Sequence, residues 1–103
     1  MKDVYAYPAI LSFDDDGISI EYPDLPGCLS CADDIKEAKL FANEALRLHL
    51  WSMEIHRDEI PEPMDMAEIV LEDNQLSLMV EVFMPPVRER LNAQVGEGMA
   101  VVQ

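Results

Sequence analysis

Apolar and polar positions alternate with a period of two in several stretches of the chain and with a helical period in one. From Val4 to Phe13 the sequence is apolar and rich in Tyr, Ile and Leu, which predicts a strand. Pro8 inside it cannot donate to a ladder, so an edge position or a bulge is expected there. Ile18, Ile20 and Tyr22 then alternate with Ser19 and Glu21, a half-buried second strand. Asp14-Asp15-Asp16-Gly17 joins the two, a turn whose glycine can take positive φ, and together they predict a hairpin. Pro23-Asp24-Leu25-Pro26-Gly27 reads as a rigid loop, because each proline fixes φ and biases its predecessor toward extended geometry. Cys28-Leu29-Ser30-Cys31 predicts a short third strand.

The helical period follows. Asp34 to Glu37 has the spacing of a capping box, with Asp34 accepting from the first turn and Glu37 reaching back. From Ile35 to about Ile55, the residues Ile35, Ala38, Ala42, Ala45, His49 and Met53 fall on one stripe, widened by Leu46 and Leu50. The alanines suit close approach to a sheet. Trp51 falls beside the stripe, on the exposed side. Asp58 to Met66 holds Pro61 and Pro63 among acids and reads as a connector; Ala67 to Glu72 suits a short helix or strand. After a turn at Asp73-Asn74-Gln75, Leu76, Leu78, Val80, Val82 and Met84 alternate as a strand. Pro85-Pro86 stops it and opens a short helix, Val87 to Ala93. The glycine-punctuated end from Gly96 to Gln103 predicts no element. The order β-β-β-α-β implies an α+β fold, a mostly antiparallel sheet with one long helix across a face.

Charge changes the picture. The chain has 103 residues with 21 acidic against 7 basic side chains, a formal net charge of −14. That length suits one domain, and half the residues are hydrophobic, which excludes a disordered acidic tail. Phosphate backbones are repelled by such a chain, so no direct nucleic-acid binding is expected from it alone. A basic protein partner fits better. No apolar run reaches the ~18–20 residues of a membrane helix. Met1 to Tyr5 lacks the basic start and apolar core of a signal peptide, so the expectation is a cytoplasmic protein with no membrane partner.

Other chemistry fares poorly. Cys28 and Cys31 form C-x-x-C, but seventeen residues lie between Cys31 and His49 and six between His49 and His56, spacings unlike a zinc finger. The cysteines lie three apart on one strand and so point to opposite faces, and both read as buried structural thiols in a reducing cytosol. His49 reads as a core or interface residue, and His56 suits a helix end. Asp14, Asp15, Asp16, Glu21, Asp24, Asp33 and Asp34 are numerous enough to suggest a metal-dependent nuclease. Three of them, however, crowd one turn tip, and Asp33-Asp34 are accounted for by capping. No cofactor, metal or catalytic residue is expected, and the chain is read as not an enzyme.

Tyr22-Pro23-Asp24-Leu25-Pro26-Gly27-Cys28 resembles the antitoxin half of the HicA–HicB toxin–antitoxin systems. The resemblance extends through Tyr7-Pro8-Ala9-Ile10, Asp16-Gly17-Ile18, the helix from Glu37-Ala38 to Leu50, and Ile60-Pro61-Glu62-Pro63, and so covers roughly residues 5 to 84. It implies a partial ribonuclease-H-like domain without nuclease activity, which binds a small basic toxin that cleaves messenger RNA and masks its active site. Members of the family usually add a C-terminal ribbon-helix-helix or helix-turn-helix. Only twelve residues follow Leu91, too few for such a unit, and Arg88 and Arg90 are balanced by Glu89 and Glu97 from Pro85 onward. The expected division is therefore an antitoxin domain over residues 1–84 and a short C-terminal helix and tail over 85–103, without a full DNA-binding domain.

The expected partner-binding residues are Asp14, Asp15, Asp16, Tyr22, Asp24, Leu25 and Cys28. Gly17, Pro23, Pro26, Gly27, Asp34 and Glu37 are expected to hold the backbone. A lone apolar strand such as Leu76–Met84 is a liability as an edge, and pairing with a second chain would cover it, so a homodimer or tetramer is expected. Two other readings stand beside the antitoxin: a degenerate ribonuclease-H-like, metal-dependent RNA-processing enzyme, and an orphan homo-oligomer that has lost its partner.

Overall fold

The first two strands part company where two prolines would meet. β1 (Val4–Asp14) and β2 (Gly17–Glu21) pair antiparallel from Asp14↔Gly17 to Ile10↔Glu21. Two steps further, that register would set Pro8 against Pro23, and neither has an N–H to give. The chain turns away instead into β3 (Leu29–Ala32), which returns along β2. A helix, α1 (Ile35–Ile55), follows, then a long connector with one 3-10 turn at Met66–Glu68. β4 (Gln75–Phe83) and a second helix, α2 (Met84–Val102), complete the chain. The structure, a computed structural model, describes residues 2–102, and 95–102 by their backbone alone.

All pairings are antiparallel and the sheet order is β3-β2-β1-β4. β1 therefore lies inside the sheet, not at the edge that Pro8 suggested. The reason is local. Asn43 Nδ2 donates to the Glu81 carbonyl at 3.2 Å, so that carbonyl faces away from β1. By strand alternation Met79, the partner of Pro8, also turns its N–H and C=O away from β1. The β4 ladder thus asks nothing of Pro8, and on its other flank the β2 pairing has already ended.

One face of the sheet carries the core. Tyr5, Tyr7, Ala9 and Leu11 of β1, Ile18 and Ile20 of β2, and Val80 and Val82 of β4 are all buried. Against them α1 lays Ala38, Ala42, Leu46 and Leu50, an i, i+4 row whose two alanines allow close approach. Ala45, His49 and Met53 flank that row half-buried, whereas Ile35, expected on the stripe, is exposed at the first helical residue.

α1 is closed by side chains at its start and by backbone groups at its end. Asp34 Oδ1 accepts from Glu37 N at 2.8 Å, and Glu37 Oε1 accepts from Asp33 N at 3.0 Å. The capping box therefore closes one residue earlier than expected, on the N–H of Asp33. At the other end Arg57 N donates to Glu54 O and Asp58 N to Met53 O, a Schellman motif. Arg57 adopts φ 58° to make it, the left-handed position usually given to glycine.

α2 begins at Met84, not Val87, and runs well past Ala93. Pro85 and Pro86 sit in its first turn, where their missing N–H groups are not needed. Met84 is fully buried, and its N–H donates to Asp3 O at 2.7 Å. Arg88 then ties three segments together: its guanidinium donates to both oxygens of Glu54 at 2.9 and 2.8 Å, to Asp3 Oδ1 at 2.8 Å, and to the Lys2 carbonyl. Trp51, read as exposed, is half-buried against the core, with its indole N–H on Asn92 Oδ1 at 3.0 Å.

Replacing Arg57 with glycine removes the strain of a left-handed side-chain-bearing residue while keeping the motif. Arg57→Gly is expected to stabilise the protein by about 0.5–1 kcal/mol in urea unfolding, with the m-value unchanged.

Candidate functional site

The hairpin turn is built around Gly17. At φ 139° it takes a backbone conformation that L side chains rarely adopt, and a Cβ there would stand 2.9 Å from the Ala32 carbonyl oxygen of β3. The turn is thereby pressed against the strand that leads into α1. Asp14 and Asp16 of the turn, with Asp33 and Glu37 at the start of α1, line a cleft of about 540 Å³ floored by Ile18 and Phe41. Cys31 opens onto it. Four carboxylates that are up to 23 residues apart in sequence share one concave surface, and Asp15 stands exposed at the tip of the turn. Asn74 Nδ2 donates to Asp14 Oδ1 at 3.3 Å and to the Phe13 carbonyl at 3.2 Å, steadying the turn from the β4 side. Among the described residues no three His, Cys, Asp or Glu side chains converge as a metal-ligand group. The cleft offers a broad negative field, not a coordination site.

The loop Tyr22–Cys28 behaves otherwise. Tyr22, Leu25 and Cys28, expected at a partner surface, are buried. The Tyr22 hydroxyl donates to the Ala42 carbonyl of α1 at 2.6 Å, and the Cys28 thiol meets the Ala45 carbonyl at 3.6 Å. Asp24, half-buried, accepts from Met64 N with both oxygens at 3.1 Å. Leu25 N donates to Tyr22 O and Cys28 N to Leu25 O, each at 3.0 Å, so the loop is two successive turns. Its side chains therefore act as anchors, and Pro23, Pro26 and Gly27 are what it shows to solvent. Gly27, at φ 90° with open space around it, is required for its conformation alone.

The turn and the loop lie at opposite ends of β2, roughly 16 Å apart at the rise of an extended strand, so they do not form one patch. What the turn shares its cleft with is Asp33 and Glu37, residues the sequence assigned to capping alone. His49 borders two small clefts beside the loop, one with Gly27 and Cys28 and one with Asp24 and Leu25. Cys28, just ahead of β3, is buried, whereas Cys31, expected to be a buried thiol as well, is exposed, because it points away from the core on the edge strand.

Burial sets the acid–base behaviour of the anchors. The Tyr7 hydroxyl donates to the Pro61 carbonyl, and its pKa is pushed up to about 12, first by burial and then by the neighbouring charges of Tyr5, Asp24 and Glu62. Tyr22 is raised further, by burial and by Cys28. The Cys28 thiol is pushed up to about 11 by burial.

A family profile described as the HicB_like antitoxin of bacterial toxin-antitoxin systems matches residues 7–95. The chain is 30% identical over 76 residues to an uncharacterized 14.9 kDa protein of the rep-hol intergenic region of Haemophilus phage HP1, covering 74% of this chain. It spans 57% of that relative's length. Over 56 residues it is 36% identical to a UPF0150 protein of Thermoplasma acidophilum, covering 53% of this chain and 81% of the relative. Two solved structures share the fold. A chain of the "HicA3 and HicB3 toxin-antitoxin complex" aligns with TM-score 0.63 at 18% identity, over 74% of this chain and 95% of that one. A chain of a toxin–antitoxin complex from Streptococcus pneumoniae aligns with TM-score 0.69 at 16% identity, over 97% and 99%.

A tyrosine held neutral in the folded state binds its proton more tightly there than in the unfolded chain. Its stabilising effect is whole below pH ~10 and is lost as pH rises through about 12 for Tyr7. Stability measured by denaturant is expected to fall between those two values, and Tyr7→Phe is expected to flatten that fall. An equal fall in the variant would show that Tyr7 does not drive it.

Proposed function

The chain belongs to the family of HicB-like antitoxins of bacterial toxin–antitoxin systems, and from that premise we propose that it binds and neutralises a small basic RNA-cleaving toxin in the cytoplasm. The observation that carries this reading is the cleft where Asp14, Asp16, Asp33 and Glu37 face the same space. A ribonuclease must present Lys or Arg to its RNA. Carboxylates set around a concave surface can occupy those cations and keep phosphates out.

The chain acts here as a binding protein and not as an enzyme. The sheet with α1 across one face serves as a partial ribonuclease-H-like scaffold, its carboxylates turned to a protein partner in place of metal ions. Asp15 adds charge at the rim, where its effect is on encounter rate more than on affinity. The loop Tyr22–Cys28 contributes a stiff ridge of Pro23, Pro26 and Gly27 at the other end of β2. Asp24, Leu25, Tyr22 and Cys28 keep that ridge in shape from within.

The test uses the full chain and the basic protein it retains from its own cytosol, whose RNA cleavage must stop when the chain is added. Asp16→Lys combined with Asp33→Lys is expected to weaken that complex by roughly tenfold or more and to flatten its dependence on salt. Affinity and salt slope both unchanged would place the toxin on another surface.

A further inference from the structure

β1 is an inner strand over only part of its length. Phe13 N donates to Asn74 O at 2.8 Å at one end of the β1–β4 ladder, and Met84 N to Asp3 O at 2.7 Å at the other. Odd-numbered residues of β1 therefore spend their N–H and C=O groups on β4, and even-numbered ones face the opposite flank. Ile10, Ser12 and Asp14 meet β2 there. Val4 and Ala6 do not: among the described residues, no strand or loop supplies either with a backbone partner on that side.

The connector that runs along this flank cannot complete the ladder. A cleft of about 300 Å³ is lined by residues 4–7 of β1 and by residues 60–63 of the connector, with Lys2 beside them. Pro61 and Pro63 have no N–H to give, and the Pro61 carbonyl is taken by the Tyr7 hydroxyl. The flank is covered by side chains and left open by the backbone.

We infer that this flank receives a short extended segment of a basic protein partner, paired to Val4 and Ala6 as an added strand. It lies apart from the acidic cleft, since Ala6 and Asp14 are roughly 27 Å apart at the rise of an extended strand.

Two observations choose the occupant. The first is the backbone. Val4 and Ala6 stand two apart and offer up to four groups in ladder spacing, which an extended chain can satisfy and a helix cannot.

The second is charge. Residues 58–65 carry Asp58, Glu59, Glu62 and Asp65 and no Lys or Arg. Lys2, the one cation lining the cleft, already stands 3.4 Å from the Glu62 carboxylate. The negative field reaches the inner wall: after burial, Asp24 and Glu62 are among the charges that raise the Tyr7 pKa. A segment that fits sets an apolar residue toward Tyr5 and Ile60, with Lys or Arg on either side.

Nuclear magnetic resonance of the full chain tests this with no toxin and no RNA present, so its outcome is separate from that of the neutralisation assay. In the free chain the Val4 and Ala6 amides are expected to exchange with solvent quickly, and those of Tyr5 and Tyr7 slowly. The probe is the capped pentapeptide Lys-Val-Arg-Val-Lys, expected to shift and protect Val4 and Ala6. Its acidic counterpart, Glu-Val-Glu-Val-Glu, is expected to bind at least roughly tenfold more weakly. Methylating the peptide nitrogens of the basic probe removes its donors without touching the fold, and is expected to cost a similar factor. Glu62 is exposed, so Glu62→Lys leaves the fold in place and is expected to weaken the basic probe. Val4 and Ala6 amides as protected as those of Tyr5 and Tyr7 in the free, dilute chain overturn the proposal. So do shifts confined to β4, equal binding of the acidic probe, or indifference to methylation. Protection that appears on concentrating the chain alone would give the flank to a second copy, and overturns it too.

Discussion

Two prolines that would face each other across a ladder decide the layout of this molecule. Because Pro8 and Pro23 cannot exchange a hydrogen bond, β2 leaves β1 after Ile10↔Glu21, and the flank of β1 from Val4 to Ala9 has no strand beside it. An open flank of a central strand would leave polar backbone groups and apolar side chains uncovered. The chain fills it with two irregular segments. The Tyr7 hydroxyl bonds to Pro61, and Pro61 borders one small cleft with Asp24, Leu25 and His49. The carboxylate of Asp24 then fastens the loop to Met64 of the connector. What looks in sequence like a presented loop is the plug of an interrupted sheet.

α1 couples that plug to the acidic cleft. The helix is 21 residues long, about 30 Å at the usual rise. Its first turn carries Glu37 and is capped by Asp34, and its axis begins beside the hairpin turn. Carboxylates crowded in one cleft repel, and the positive end of the helix dipole offsets part of that repulsion. At its far end, Glu54 is almost fully buried and is matched by the guanidinium of Arg88. A buried carboxylate without its cation would cost several kcal/mol, roughly 3–5 by the usual measure of a broken buried pair. The N-terminus, α1 and α2 are therefore held in one arrangement through a single arginine.

Elements governed by local pattern were legible in the sequence, and those governed by distant pairing were not. The hairpin, the limits of α1 and the alternating β4 follow from period and capping chemistry within a few residues. Pro8 misled because a missing N–H matters only on the side where it would point, and that side is set by which neighbour pairs with which face. Tyr22, Leu25 and Cys28 were expected at a partner surface as parts of a rigid loop; they turn inward instead, and Tyr22 and Cys28 meet carbonyls of α1 that only the folded helix brings there. Asp33 and Glu37 carried a capping signal strong enough to hide that they share a cleft with Asp14 and Asp16, which depends on the hairpin turn lying against β3. The Arg88–Glu54–Asp3 knot joins residues 34 and 85 positions apart, and no spacing rule reaches that far.

The distribution of charge makes two clefts of the molecule unlike each other. An excess of fourteen negative charges attracts cations from a distance, with the field strongest where carboxylates share a concave wall. The same excess opposes self-association everywhere except where positive and negative side chains balance. The chain has few cations, and two of them, Arg47 and Arg90, stand together with Glu44 and Glu81 in the cleft between α1, β4 and α2. The acidic cleft lies at the N-terminal end of α1 and on β2–β3, away from β4, so the most negative surface and the neutral one sit on opposite sides of the sheet.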